Sequence, residues 1–425
     1  MTNHVTRPLV AAAVCAALFA AAGCARKDAP PAAETTAAAA PAPAVNETRE
    51  PNNTVFKPAF EGQTRAPAIT SSFALDVATV ATGFEAPWSV ELLPDGRFLV
   101  TERPGRLRIV AADGKLSEPV AGLPKSLFDG QGGLLDVALD PAFASTQRIF
   151  WTYSEGRDGG VTGTAVASGK LVEDAKGARV EGVKVIFRQM PSVKSTFHYG
   201  SRIVFTPDGK QLYVALGERA IPEGRVQSQD LNSHQGKVVR LNLDGSVPKD
   251  NPFVGRKDAK PEIWSYGHRN VQAANLDAQG RLWTIEHGPR GGDELNRPEA
   301  GKNYGWPVIG YGIDYSGEKM HDASAADGME QPVYYWDPVI APSGLVFHSG
   351  TGAPEWQGNL FVGGMGSTKL VRLKLENDRV VGEEWLLTDR GARIRDVKEG
   401  PDGSLFVIAD GAQPSLLKVT PKTGA

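Results

Sequence analysis

Six times along this chain a short apolar strand runs into a tight turn, and a second strand of large apolar residues follows. The copies read Trp88–Val100, Leu135–Pro141, Ile203–Val214, Ala274–Trp283, Gly344–Gly350 resuming at Gly358–Val362, and Asp396–Val407. Three of the turns are Pro-Asp-Gly, and the fourth copy turns at Gln279-Gly280. Glycine at such a position accepts positive φ without a Cβ clash, which is what a tight hairpin needs. Alternation such as Ser-Leu-Phe-Val-Ile at 404–408 suits strands with one face more buried than the other. A strand pair cannot bury both faces by itself. Units recurring at roughly 50–70 residues do so by stacking radially around an axis. The expected fold is therefore all-β, a six-bladed β-propeller. A sandwich would not show so long a period, and amphipathic helical stretches are nearly absent, which argues against an α/β fold. Ligands of propellers sit at one mouth of the central channel, on loops between blades. Functional residues should then be scattered through the sequence.

The ends of the chain read differently. Residues Leu9–Ala22 are apolar but too few to span a bilayer as a helix, and they stop at Ala21-Ala22-Gly23-Cys24. Small residues before a cysteine resemble a lipoprotein signal: residues 1–23 are removed and Cys24 is acylated. The alternative is an ordinary secretory signal. Either way the expected location is exported, periplasmic or at the cell surface; on the lipoprotein reading, membrane contact is only through the lipid anchor at Cys24. Residues 24–68 are rich in Ala, Pro, Thr and Glu, without hydrophobic periodicity, and are expected to form a disordered tether. Residues 69–425 are expected to form the propeller as one domain. Cys15 and Cys24 are the only cysteines, so the mature domain has no disulfide. With 46 Lys+Arg against 49 Asp+Glu, electrostatics offer no case for a nucleic-acid partner.

Polar residues collect in glycine-rich loops beside the repeats: Asp129-Gly-Gln131, Phe197-His198-Tyr-Gly, Gly217-Glu218-Arg219, Gly267-His-Arg269-Asn270, Glu286-His-Gly288-Pro289-Arg-Gly-Gly-Asp293-Glu294 and Arg393-Ile-Arg395-Asp396. A propeller brings equivalent loops to one face. His198 as a neutral imidazole could take a proton from an alcohol, with Glu218 orienting the ring, although a structural loop histidine reads the same way. Arg269, Arg393 and Arg395 offer planar forks for carboxylates. Alternation places Arg393 and Arg395 on one face of a strand; the bland reading is surface charge. Carbonyls of the Gly288-Pro289 turn with the Asp293-Glu294 carboxylates suit the hard cation Ca²⁺, or form a solvated acidic turn. Neither a dinucleotide fingerprint nor a Walker A sequence is present.

Taken in order, Gly130–Val137, Gly236–Pro252, Tyr266–Asn270, Glu286–Glu294, Gly301–Pro307 and Arg393–Asp396 resemble the soluble glucose and aldose sugar dehydrogenases that depend on pyrroloquinoline quinone (PQQ). The resemblance runs from about Val80 to Val419. It implies a six-bladed propeller with PQQ and Ca²⁺ at the channel mouth, an aldose substrate and an external electron acceptor. His198 would be the base, with Glu218 beside it. Gln131, Arg269, Asn270, Tyr315, Gly366, Arg393 and Arg395 would bind PQQ, and Trp336 would line the substrate site. The carbonyls of Gly288 and Pro289 would hold the calcium at the cofactor; Glu294 and the carbonyl of Tyr304 would hold a second, structural one. The chain departs from the glucose-oxidising branch at Gly364-Met-Gly366, where that branch has a lysine, and at Phe197, where it has an aspartate; Lys369 is three places off. Both departures suit the aldose branch. Rival readings are a calcium-dependent propeller hydrolase, such as a lactonase, and a non-catalytic propeller scaffold. The Tyr311–Gln331 insertion is expected to shape substrate choice.

Overall fold

A computed structural model describes residues 44–422. It contains six antiparallel sheets. Blade one is Pro87–Leu92, Phe98–Glu102 and Arg106–Val110. Blade two is Leu134–Leu139, Arg148–Arg157, Val161–Asp174 and Gly177–Arg188. Blade three comprises Gly200–Phe205, Gln211–Leu216, Lys237–Asn242 and Ile263–Tyr266. Blade four comprises Val271–Leu276, Leu282–Glu286, Asp293–Asn296 and Tyr334–Trp336. Blade five runs through Pro342–Phe347, Leu360–Gly364, Lys369–Glu376 and Arg379–Leu386. Blade six joins Arg393–Glu399, Leu405–Asp410 and Ser415–Lys422 to the early strand Ala74–Thr82.

The repeat maps onto the first two strands of every blade. At the Pro-Asp-Gly turn of blade six, Gly403 has φ +77°, and a Cβ there would meet the Thr351 carbonyl at 1.7 Å, so glycine is required twice over. The first strand of each blade packs against the first strand of the next, all the way round from Pro87–Leu92 to Arg393–Glu399. Strand Ala74–Thr82 then pairs antiparallel with Ser415–Lys422, from Ala74 opposite Lys422 to Thr82 opposite Ser415. That pairing closes the ring with backbone hydrogen bonds between the two ends of the domain.

The apolar core lies between blades. Leu99, Leu107 and Ile109 of blade one meet Val137, Ile149 and Trp151 of blade two. Trp283 and Ile285 of blade four meet Leu360 and Val362 of blade five. Ile394 and Val407 of blade six meet Phe361 and Leu370 of blade five. Each fully buried side chain of this size contributes about 1.5–3 kcal/mol. No blade can keep that contribution if its neighbour leaves.

Of the residues expected to form the tether, 44–68 fall within the described structure. Residues 44–68 pack along blades four and five because their polar groups find partners there. Asn52 and Asn53 donate to the Asp337 carboxylate at 2.7–2.9 Å, Gln63 Nε2 donates to the Pro332 carbonyl at 2.9 Å, and the Ala66 N–H donates to the Tyr334 hydroxyl at 2.9 Å. Gln63 is fully buried. The rest of the expected tether, and the signal with Cys24, lie outside the described residues. Among the described residues no helix is long and apolar enough to cross a membrane.

At the axis sits a buried ion cluster. Arg202, on the first strand of blade three, meets Asp136 of blade two at 2.9 Å and Asp396 of blade six at 3.1 Å. Ser89 of blade one donates to Asp136 at 2.8 Å, the Val90 N–H donates to Asp396 at 2.9 Å, and the Ile203 N–H donates to Asp136 at 2.7 Å. Four blades thus converge on one guanidinium. Asp136→Ala would leave Arg202 buried with half its charge partners and should cost about 3–5 kcal/mol. Urea unfolding measures it; an unchanged midpoint would show that the ring holds without this cluster.

Candidate functional site

The chain direction decides which loops reach the mouth. First strands begin there, second strands end there, and so the residues just before the former and just after the latter share one face. A cavity of about 200 Å³ opens at that mouth. Gln131 and Leu135 of blade two, Tyr199 and Gly200 of blade three, Gln272 and His287 of blade four and Met365 of blade five contribute to its wall. Trp88 and Arg103 of blade one and Arg393, Arg395 and Asp410 of blade six complete it.

The cavity is cationic. Arg393 Nε and Arg395 Nη2 approach the Asp410 carboxylate only to 3.9 and 3.7 Å. Arg395 Nε is buried with no hydrogen-bond partner. Burial, with Arg103, Arg393 and Arg202 nearby, pushes Arg395 down to about 10 despite Asp410. With three guanidiniums, Arg103, Arg393 and Arg395, and one carboxylate, Asp410, on its wall, the cavity suits an anion. This is the donor set that a polycarboxylate such as PQQ requires.

His198 stands beside the cavity, its backbone N–H held by Gln131 Oε1 at 2.9 Å. Its Nδ1 lies 2.6 Å from Glu218 Oε1, and the side chain is only 8 % exposed. Its Nε2 has no partner among the described residues and is not sealed from solvent. Burial, reinforced by Arg269, Arg219 and Arg225, holds the imidazole well below its usual range, so it is neutral at pH 7. Burial also raises Glu218 to about 7, opposed by Arg269 and Arg225 and by the Ala220 N–H. With Glu218 ionised, Nδ1 is the donor and Nε2 carries the free lone pair.

The loop carrying His198 is held in an unusual conformation. His198 has φ +51°. Gly217 passes so close that a Cβ would sit 2.0 Å from the His198 carbonyl. Arg219, fully buried, donates to the carbonyls of Phe197 (2.9 Å), Thr162 (3.0 Å) and Ser195 (2.7 Å), and its guanidinium stacks 3.9 Å from the Tyr199 ring.

A second, much smaller space of about 10 Å³ adjoins the mouth, bounded by Glu286, Gly288, Pro289, Glu294 and Tyr304 among others. That is room for one atom-sized guest. Asn296 Oδ1 is buried without a donor, and burial together with Glu286 raises Glu294 well above the usual carboxylate range. Unneutralised oxygens around a one-ion space fit a hard cation. At the other end of the same turn, the Gly288 carbonyl accepts from Arg269 Nη1 at 2.9 Å, so a cationic group already lies at the carbonyl expected to face calcium.

The structure redistributes several expected residues. Arg269 binds the His287 and Gly288 carbonyls and stacks on Trp306, 5.2 Å away, instead of lining the large cavity. Asn270 Oδ1 accepts from the Gly200 N–H at 3.1 Å and thereby joins blades three and four. Tyr315 is 65 % exposed, its hydroxyl 3.4 Å from Arg269 Nη2. Gly366 packs on Ala341 and Ile340, and the neighbouring Met365 takes the place on the wall. Lys369 lies over the Trp385 ring at 3.2 Å. Trp336 is corrected outright: it is buried between blades four and five, its Nε1 donating to Glu383 at 3.1 Å, and it does not reach the cavity. Trp88, Arg103, His287 and Asp410 went unassigned in the sequence. Arg103, His287 and Asp410 stand where second strands end or just beyond, the position Glu218 occupies in blade three.

A six-bladed ring with an arginine-lined mouth and a neutral histidine beside it defines a propeller whose mouth suits an anion. The comparisons narrow this further. The profile of the Glucose / Sorbosone dehydrogenase family matches residues 84–418. Aldose sugar dehydrogenase YliI of Escherichia coli is 44 % identical over 353 residues, covering 82 % of this chain and 93 % of that protein. The crystal structure of the soluble aldose sugar dehydrogenase from Escherichia coli, in its apo form, superposes with a TM-score of 0.78 at 44 % identity, covering 82 % of this chain and all of that one. The PQQ-bound aldose sugar dehydrogenase of Streptomyces coelicolor superposes at 0.64 with 28 % identity, covering 82 % and 100 %. The chain belongs to the glucose/sorbosone dehydrogenase family and is an oxidoreductase of that kind.

Arg219 anchors the His198 loop through neutral carbonyls, so a side chain of similar length without charge should release it. Arg219→Met should lower stability by about 2–4 kcal/mol and open residues 195–199 to proteolysis. Chemical unfolding and limited digestion read both; a variant as stable and resistant as the parent would deny the anchor its role.

Proposed function

We propose that this protein oxidises aldose sugars at C1, hydroxyl to lactone, using PQQ and Ca²⁺ at the channel mouth and passing electrons to an external acceptor. The observation that carries this is the arginine-lined cavity, its guanidiniums outnumbering its one carboxylate, beside a neutral histidine in a chain of the sugar dehydrogenase family. Bound PQQ supplies the acceptor for the hydride leaving C1, and calcium supplies Lewis-acid polarisation of that acceptor. Everything else falls to the chain. Arg393 and Arg395 clamp carboxylates, and Gln131 reaches the same cavity while fixing the His198 backbone. Nε2 of His198 takes the C1 hydroxyl proton as the hydride departs, and Glu218 holds the other ring nitrogen and steadies the imidazolium that results. The Gly288 and Pro289 carbonyls would hold the calcium at the cofactor once Arg269 yields its hydrogen bond; Glu294 with the Tyr304 carbonyl would hold the second. A lactonase would have no use for so many arginines at one mouth. We also read the protein as exported and anchored through Cys24.

The test is dye-linked oxidation across a panel of aldoses, with PQQ and Ca²⁺ each added or withheld. Turnover should require both. His198→Ala should lose about 10²–10⁴-fold in kcat while PQQ binding persists. As pH falls through about 7, Glu218 takes a proton and donates to Nδ1, which moves the ring hydrogen to Nε2 and removes the base. Turnover should therefore rise through about pH 7, and Glu218→Gln should be slow with that limb absent. Undiminished turnover in His198→Ala would sink the assignment.

Calcium that binds only the native fold stabilises it by mass action. Chelation with EGTA should lower both activity and the melting temperature. A melting curve indifferent to chelator would remove the structural calcium at Glu294.

A further inference from the structure

We propose that Arg103, which follows the second strand of blade one, is a third cationic anchor for the carboxylates of bound PQQ, so that the cofactor is gripped from blades one and six together. This rests on the function proposed above and extends it to a residue on a different blade.

Arg103 has one side-chain hydrogen bond, from Nη1 to the Gly130 carbonyl at 3.0 Å, and no carboxylate within ion-pair distance among the described residues. Its guanidinium carbon lies 5.1 Å from the Phe128 ring, which limits its swing. Its backbone is fixed as well: its N–H donates to the Ala86 carbonyl at 3.1 Å, and its carbonyl accepts from the Leu134 N–H at 3.1 Å. Gly133 abuts it closely enough that a Cβ there would sit 2.2 Å from that carbonyl. The chain thus gives Arg103 a defined position on the cavity wall, with Asp410 on the same wall but not in ion-pair contact with it. The wall then carries three guanidiniums, Arg103, Arg393 and Arg395, against one carboxylate, Asp410. Burial disfavours the charged form of Arg103; Asp410 opposes this and the Arg393 charge adds to it. Three like charges around about 200 Å³ repel one another until an anion arrives. PQQ has three carboxylates, so the count of forks matches the count of acids, and a planar fork holds a carboxylate with two parallel hydrogen bonds.

The experiment is titration of the calcium-supplemented full protein with PQQ, read by quenching of tryptophan fluorescence, to which Trp88 on the wall contributes. Arg103→Gln keeps much of the side-chain length over Phe128 and should weaken binding about tenfold or more, with a shallower dependence on salt. Arg103→Lys keeps the charge without the fork; it should fall between the two and retain the parental salt dependence, and it serves if Arg103→Gln does not fold. With PQQ trimethyl ester, whose carboxylates are masked, parent and Arg103→Gln should bind alike. Equal affinity of parent and Arg103→Gln for PQQ itself, at every salt concentration, would overturn the proposal while leaving the sugar dehydrogenase reading intact. A parent protein that binds no PQQ would overturn that reading and this one with it.

Discussion

Everything at the mouth rests on the guanidinium of Arg202. It is buried at the axis, bridges Asp136 and Asp396, and lies under the Trp88 ring with its central carbon 4.6 Å from the ring centre. Taking three charges out of water is expensive, and the arrangement is tolerable because almost every lone pair has a donor. Backbone N–H groups of Val90 and Ile203 and the Ser89 hydroxyl complete the two carboxylates. The cluster closes the channel between the mouth cavity and a second space of about 190 Å³ at its far end, whose wall includes Arg202 and Asp396. It also sets the floor of the mouth cavity, because Trp88 stacks on Arg202 from one side and lines that cavity from the other. Fold stability and the depth of the site are consequences of one ion cluster.

Above that floor the electrostatics divide into two zones. On the side of blades one and six, arginines are left short of acids. On the side of blade four, Glu286 and Asp293 are buried and Glu294 is half-buried beside them, with burial pushing Asp293 up to about 7. An anion and a cation placed side by side would relieve both. His198 lies between the zones, beside Gln131 of the cavity wall and within the field of Arg269. Its neutrality follows from that position: positive neighbours and burial act in the same direction on an imidazole, whereas they oppose one another on Glu218.

Much of this was legible in the residues because turn chemistry is local. Pro-Asp-Gly and Gln-Gly specify hairpins whatever surrounds them, and six hairpins at a long period leave few architectures. The loops holding Gln131, His198, Glu218, Arg393 and Arg395 could be placed at one mouth for the same reason. Trp336 could not, since alternation along Tyr334–Trp336 does not say which face meets blade five, and Glu383, the partner that fixes the indole, is 47 residues away. Arg103 was hidden differently. It follows Thr101-Glu102, reads as an ordinary strand-end charge, and gains meaning only from Arg393 and Arg395, nearly three hundred residues on. Aligning the ends of the second strands, 102, 157, 216, 286, 364 and 410, would have exposed it, because each marks a point where the chain surfaces on the side of the mouth.

Residues 44–68 show how composition misleads about order. Their Pro and Ala content matches a tether, yet polar side chains spaced along them find buried partners that only the assembled ring provides. Asp337 accepts from Asn52 and Asn53, and Asn52 in turn accepts from Arg290 Nε at 3.0 Å. Arg290 follows directly on the Gly288-Pro289 turn. Gln63 Oε1 accepts from the Tyr311 hydroxyl at 3.0 Å, and Tyr311 stacks on Tyr335 with ring centres 3.9 Å apart. The segment therefore braces the Gly288-Pro289 turn and the Tyr311–Gln331 insertion beside it. Hydrogen bonds of this kind contribute about 1 kcal/mol each, too little to order an isolated peptide but enough, in series, to hold one against a surface already formed. The strap is ordered by the ring, and the ring's most loop-dependent feature is steadied by the strap.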